Sequence, residues 1–266
     1  MPLMQKSRIT ALALTALATF ALSACGSDDG GKSASGADLV KKDTLTVCSD
    51  VPYPPFEDFD KSSDTGFKGF DVDIVSEVAD RLDLKLVIKD SSFDALQSGQ
   101  ALNAKQCDLA ASAMTITDDR KKNLDFSDGY YDSKQSLLVP ADSKIASIDD
   151  LKGVKVGVQQ GTTGKTYTEE NATGAEVVTF PSDAEMFQAI KAGQVEALLQ
   201  DLPVNLDHTT DGAFKVVETY DTDEEYGFAI KKGNSKLVDD VNGALEEMHS
   251  DGTYDEIYNK YFSTEN

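Results

Sequence analysis

Apolar positions change their period along this chain, and each change marks an element. Leu45-Thr46-Val47-Cys48 reads as a short strand. From Gly69-Phe70-Asp71 the period lengthens: Val72, Val75, Ala79 and Leu82 recur at helical spacing, with Asp71 placed to cap the helix. Leu84 to Ile88 alternates as a strand, Asp94 to Ala104 reads as a helix, and Asp108 to Ala113 as a buried strand. The same order then returns. Lys155 to Val158 is a strand, Gly164 to Asn171 a short helix and Glu176 to Thr179 a strand. Ser182-Asp183-Ala184-Glu185 is a capping box that starts a helix through Ala192. Gly193 stops that helix, and Val195 to Leu199 is a strand. Local echoes support two copies: ALQSGQ before the third strand of the first, AIKAGQ before that of the second. Strands alternating with helices predict an α/β protein with a parallel sheet in each of two lobes. The tail adds a strand (Gly227 to Ile230), a helix from Ser235 to His249 and a last helix from Tyr254 to Phe262.

The amino end does not fit this pattern. Lys6 and Arg8 precede a 14-residue apolar run, Ile9 to Leu22. The run is short for a bilayer span and suits a signal-peptide core. It ends in Leu22-Ser23-Ala24-Cys25, which resembles a bacterial lipobox and implies lipidation at Cys25; a plain secretory signal with an incidental Cys is the other reading. Gly26 to Ala37 is rich in Gly and Ser, so residues 25–38 are expected to form a flexible tether.

Charge narrows the function classes. The 266 residues carry 25 Lys plus Arg against 47 Asp plus Glu, a net −22. Residues 1–24 contain two bases and no acid, so their removal leaves −24. No nucleic-acid partner is expected, since the phosphate backbone needs a basic face. Two His, His208 and His249, lie far apart, which argues against a His-rich metal site.

In open α/β sheets ligands bind at the carboxyl ends of strands. Asp50 and Tyr53 follow the first strand in a Pro-rich turn, where an Asx-turn is an equal reading of Asp50. Phe93 follows the second strand and reads more readily as core. Ser112, Ala113 and Thr115 follow the third, with Thr117 capping the next turn and Arg120 one turn in, where the run Asp118 to Lys122 by itself favours a solvated charge. In the second copy Gln159, Thr162 and Thr163 precede a helix, a nest of amides and hydroxyls that suits a carboxylate or simply caps the helix. Gln200 and Asp201 end its third strand, where Asp201 serves as an N-cap or a partner for a cation. One Arg, an anion nest and two acids suit a zwitterion bearing α-carboxylate and α-ammonium. Gly164-Lys165-Thr166 looks like the end of a phosphate loop, but Gln159 stands where that pattern needs Gly.

The strings DVPYPPFE, GFDVDIVSEVADRL, ITDDRKKNLDFSDGYY and DGTYDEIYNKYF resemble the bacterial extracellular solute-binding proteins of family 3, the polar amino-acid receptors of ABC importers. The resemblance covers about Leu39 to Phe262 and implies a fold of the type II periplasmic-binding-protein kind. Lobe 1 would be residues 39–129 and 227–266, lobe 2 residues 135–221, joined by hinge crossovers at 130–134 and 222–226. It implies Arg120 on the α-carboxylate, supported by Thr115 and amides near Thr162 and Thr163. It implies Asp201 with the Ala113 carbonyl on the ammonium, Tyr53 and Phe93 flanking the ligand side chain, and Asp50 at its far end. Glutamine-binding relatives carry Lys at the position of Gln159 and His at that of Gln200. These departures lean toward an Arg- or Lys-like ligand, with glutamine as the close competitor. Implied partners are a free polar amino acid, ABC permease subunits and the membrane through Cys25; the protein would act as a monomer, with no cofactor, metal or catalytic residue. A secreted cyclohexadienyl dehydratase on the same fold and a pure amino-acid sensor are the alternative functions. Cys48 and Cys107 lie on strands that neighbour each other in that family's sheet. They form either a disulfide or two small buried apolar residues.

Overall fold

The computed structural model describes residues 31–32 and 36–263; the signal run, Cys25 and the first residues of the predicted tether lie outside them. In chain order the elements begin with β1 Gly31–Lys32 and β2 Asp38–Leu39, paired antiparallel. This corrects the boundary of the tether. Ala37 is fully buried, and the Val40 amide donates to Asp108 Oδ1 at 2.5 Å, so the folded body begins before residue 39.

Lobe 1 then runs β3 Thr44–Ser49, the hairpin β4 Asp58–Phe59 and β5 Phe67–Lys68, α1 Phe70–Arg81, β6 Lys85–Asp90, α2 Phe93–Gln97, α3 Gln100–Asn103, β7 Leu109–Ala110 and β8 Leu124–Phe126. Lobe 2 holds β9 Tyr131–Pro140, β10 Lys155–Gln159, α4 Thr163–Asn171, β11 Glu176–Phe180, α5 Asp183–Lys191, β12 Ala197–Asp201, α6 Leu202–Asp207 and β13 Phe214–Tyr226. The chain returns to lobe 1 for β14 Ala229–Lys231, α7 Ser235–Asp251 and α8 Thr253–Phe262.

Each lobe is built on a five-stranded sheet: β6-β3-β7-β14-β8 in lobe 1 and β11-β10-β12-β9-β13 in lobe 2. The expected parallel pairing holds for the first three strands of each. The fourth strand of each, β14 or β9, enters from the other lobe and runs against these three, and the edge strand, β8 or β13, pairs antiparallel with it in turn. β9 and β13 pair along their lengths and reach lobe 1 at the Tyr131–Tyr226 pair.

Two predicted helix details change. Asp71 does not cap α1. Gly69 holds that position at φ 136°, and a Cβ there would sit 2.1 Å from the Phe56 carbonyl oxygen, so only glycine fits. Asp71 lies in the first turn, buried. The predicted helix from Asp94 to Ala104 is broken into α2 and α3 by Gly99, which adopts φ 78°. In lobe 2 the Ser182 cap forms as expected, its side chain accepting from the Glu185 amide.

The lobe 1 core includes an aromatic cluster around Phe56 and Phe70, joined by Tyr131 and Tyr226 from the crossover strands and by Phe262 from α8. A second lobe 1 cluster contains the Cys48–Cys107 disulfide, with Cα atoms 5.8 Å apart. Cys107 sits in the turn before β7, and β7 pairs with Cys48 through Ala110, so the turn carries the two sulfurs together.

Candidate ligand-binding site

The carboxyl ends of β3 and β7 in lobe 1 face those of β10 and β12 in lobe 2. Between them lies a cavity of about 20 Å³, lined by Asp50, Tyr53, Phe93, Ser112, Ala113, Thr115, Arg120, Gln159, Thr162, Thr163 and Asp201. Asp50 and Asp201, 151 positions apart, meet there because each stands at the carboxyl end of a strand, β3 or β12.

Lobe 1 aims its side chains from rigid turns. Tyr53 is fixed by a hydrogen bond that its backbone N–H donates to the Glu57 carbonyl at 2.7 Å. Ala113 holds φ 44°, a conformation that alanine adopts only under constraint, and its amide donates to Asp71 Oδ2 at 2.9 Å. The Ser112 hydroxyl donates to Glu57 Oε1 at 2.6 Å. Two buried carboxylates thus support the cavity floor from beneath. Burial pushes Asp71 up to about 7; burial, and then the neighbouring Asp71, hold Glu57 well above the carboxylate range.

Arg120 is the one cationic side chain among the described residues lining the cavity. A short 3₁₀ turn, Arg120–Lys122, places it, with Thr117 Oγ1 accepting from its amide at 3.2 Å. Its guanidinium is buried, donates to the Thr115 carbonyl at 2.7 Å and the Gly161 carbonyl at 3.0 Å, and stands 5.2 Å from the Phe93 ring centre. Burial lowers it to about 10, a shift opposed by the charges of Glu224 and Asp201. It remains charged at neutral pH.

Two acids line the same cavity. Asp50 Oδ2 accepts from Gln159 Nε2 at 2.6 Å, and burial pushes its carboxyl up to about 7. Asp201 accepts from the Tyr53 hydroxyl at 2.8 Å and Gln135 Nε2 at 2.5 Å. Burial first, and then the charge of Glu224, raise it to about 7. Asp201 stands at the N-cap of α6 without using its side chain there, so the carboxylate is left for the cavity. Thr162, by contrast, does cap α4, accepting from the Lys165 amide at 3.1 Å.

Eleven of the twelve residues singled out in the sequence meet around this cavity. Gln200 does not. Its Nε2 donates to Asp183 Oδ1 at 2.8 Å and Asn205 Oδ1 at 3.1 Å, which turns it into lobe 2. Alternation along β12 puts its side chain on the face opposite that of Leu199. Sequence reasoning missed Gln135 and Glu224. Glu224 belongs to the acidic run Asp221 to Glu225 and reads as solvated charge; a register shift between Tyr220 and Glu224 turns it inward. Lys165, in the segment that looks like a phosphate loop, pairs with Glu169 at 2.7 Å. Among the described residues no cluster fits a metal ion, and no helix is long and apolar enough to cross a membrane.

Residues 45–264 match the family described as bacterial extracellular solute-binding proteins, family 3. The chain is 36% identical to the ABC transporter glutamine-binding protein GlnH of Bacillus subtilis, across 96% of this chain and 97% of that protein. It is 34% identical to a probable histidine-binding protein of Neisseria gonorrhoeae, across 98% and 97%. Among solved structures it resembles an ancestral arginine-binding protein bound to arginine, with a TM-score of 0.78 and 38% identity over 84% of this chain and 99% of that one. The two sheet lobes are those of a type II periplasmic binding protein, and the chain belongs to the bacterial extracellular solute-binding proteins of family 3.

Proposed function

We propose that this protein is the exported receptor of an ABC amino-acid importer, and that it closes its lobes around one free amino acid with a cationic side chain. The carrying observation is the charge of the cavity: Asp50 and Asp201 line it with a single guanidinium, and Glu224 stands beside them. Buried carboxylates without a cation are costly, and both lining acids are already raised toward neutrality. An arginine or lysine supplies two positive charges and one negative. Its α-carboxylate goes to Arg120, Thr115 and the amides near Thr162 and Thr163. Its ammonium goes to Asp201 and the Ala113 carbonyl. Its side chain runs between Tyr53 and Phe93 toward Asp50. Glutamine, with a neutral amide able to donate to Asp50, is the nearest competitor.

A cavity of about 20 Å³ holds roughly one water, so entry requires the lobes to part. The pivots are residues 130–134 and 222–226, at the lobe 1 end of the paired strands β9 and β13. Closure expels water and strengthens both charge contacts. The closed form of the monomer then meets the permease, and a lipid on Cys25 keeps it at the outer face of the membrane. The curated relatives are transport binding proteins, which supports binding without turnover over dehydration. Isothermal titration with the twenty amino acids tests the reading. Arginine or lysine is expected to bind, followed by glutamine; tight glutamate binding without arginine or glutamine binding overturns it. For the anchor, Cys25→Ala is expected to release the protein into the medium.

A further inference from the structure

Glu224 lies near the end of the crossover strand β13, behind the residues that line the cavity. Its side chain is buried. One oxygen, Oε2, accepts from the Thr115 hydroxyl of lobe 1 at 2.7 Å and from the Thr163 hydroxyl of lobe 2 at 2.7 Å. The other, Oε1, accepts from Thr222 Oγ1 at 2.9 Å and Gln135 Nε2 at 3.1 Å. Thr115 and Thr163 line the cavity with Arg120, whose two bonded nitrogens contact only backbone carbonyls. Donors from both lobes therefore converge on one carboxylate oxygen that belongs to the protein itself.

We propose that Glu224 is an internal stand-in for the ligand's α-carboxylate, and so an affinity-setting residue of the site. The proposal rests on the reading of the cavity as an amino-acid site. A free amino acid must take the two Thr hydroxyls from Glu224 and bring its own carboxylate close to a resident negative charge. Both requirements weaken binding, and the second applies only to ligands whose α-carboxyl is ionised. The same bonds tie lobe 1 to lobe 2, so parting the lobes must break them and opening is part of the cost of capture. The neutral, nearly isosteric Glu224→Gln removes the charge and weakens the acceptor. The opposite role, a second carboxylate for the ligand ammonium beside Asp201, predicts the opposite sign.

The test is titration of wild-type and Glu224→Gln protein with L-arginine and L-glutamine, each against its α-amide. The variant is expected to bind the free acids about tenfold tighter, the size of one hydrogen bond to a charged group. The gain for the α-amides is expected to be smaller by at least about threefold, since they carry no negative charge to repel. Equal gains, unchanged affinity or weaker binding by the variant overturns the inference and leaves the amino-acid site intact. Wild-type protein that binds none of the four compounds defeats the reading of the site, and the inference with it. If Glu224→Gln melts too early to titrate, Glu224→Asp carries the test: its shorter side chain withdraws from the hydroxyls, and tighter binding of the free acids is again expected.

Discussion

The two lobes meet at the cavity with the same strand order, yet they are supported differently. Lobe 1 is cross-linked by Cys48–Cys107 and wedged by the aromatic cluster around Phe56 and Phe70. Its cavity residues, Asp50, Tyr53, Phe93, Ser112, Ala113, Thr115 and Arg120, stand on that base. Lobe 2 has no aromatic cluster of that size among the described residues. Its binding edge is tied by hydrogen bonds from side-chain amides: Gln135 donates to Asp201 and Glu224, and Gln200 to Asp183 and Asn205. The contrast suits a protein in which one lobe presents the long side-chain contacts and the other supplies a helix end and shuts over them.

The largest effect is expected on the lobe 1 side. Arg120→Ala removes the one cation among the described cavity residues, and its bidentate fork cannot be replaced from lobe 2. Amino-acid affinity should fall at least about a hundredfold, the equivalent of roughly 3 kcal/mol. Far-UV circular dichroism should be unchanged. Retained affinity in a folded variant would show that the amide nest of lobe 2 alone holds the carboxylate.

Replacing both Cys48 and Cys107 by Ser separates scaffold from site. Their sequence separation of 59 closes a long loop, and losing such a cross-link typically costs about 2–5 kcal/mol of stability. The melting temperature should drop, while affinity measured well below it should change by less than about threefold, because neither sulfur lines the cavity. A large loss of affinity with native stability would mean that the cross-link positions Asp50 rather than bracing lobe 1.

The chain order of strands and helices was legible in short-range pattern, whereas that pattern left Asp50, Phe93 and Arg120 open between the cavity and other roles, and the resemblance to family 3 is what implied a shared site for them. Hydrophobic period set β3, α1 and β10, and glycines and caps set where the chain turns. What escaped was decided at long range. Asp71 looked like an N-cap because an acid in the first turn usually is one; its true partners, Ala113 and Tyr130, lie 42 and 59 residues away. Glu224 looked solvated because its run is acidic, and only a register shift buries it. The disulfide stayed open because strand neighbours alone do not fix where a turn carries a sulfur.

Acidity tests the cavity as a whole. Asp50, Asp71 and Asp201 have carboxyls raised to about 7, chiefly by burial, against 3.8 when free. The folded protein therefore holds more protons than the unfolded chain between about pH 4 and 7. Stability linked to these groups is full at the acid end and is lost as pH rises through 7. The melting temperature of the ligand-free protein should fall from pH 5 to pH 8, and bound arginine should reduce that slope by meeting the ionised acids. Calorimetry at several pH values checks this; a melting temperature that climbs over the interval would place the acids in a better-solvated site.

The smallest effect on binding is expected at Gln200, and it bears directly on the contrast between lobes. Its position before Asp201 and the resemblance to cationic-ligand receptors both imply a ligand contact. The structure instead gives its amide to Asp183 and Asn205, within a network in which His208 also reaches Asp183 at 3.0 Å and stacks on Phe187 with ring centres 3.7 Å apart. Gln200→Ala leaves Asp183 and Asn205 each short of a buried donor, a loss of about 1–3 kcal/mol in stability. Affinity should hold within about twofold, since the backbone of β12 still presents Asp201. A lower melting temperature with unchanged titration curves would assign Gln200 to the amide scaffold of lobe 2. An affinity loss above about tenfold at native stability would return it to the cavity wall, and the ligand side chain would then have to reach past Asp50 into lobe 2.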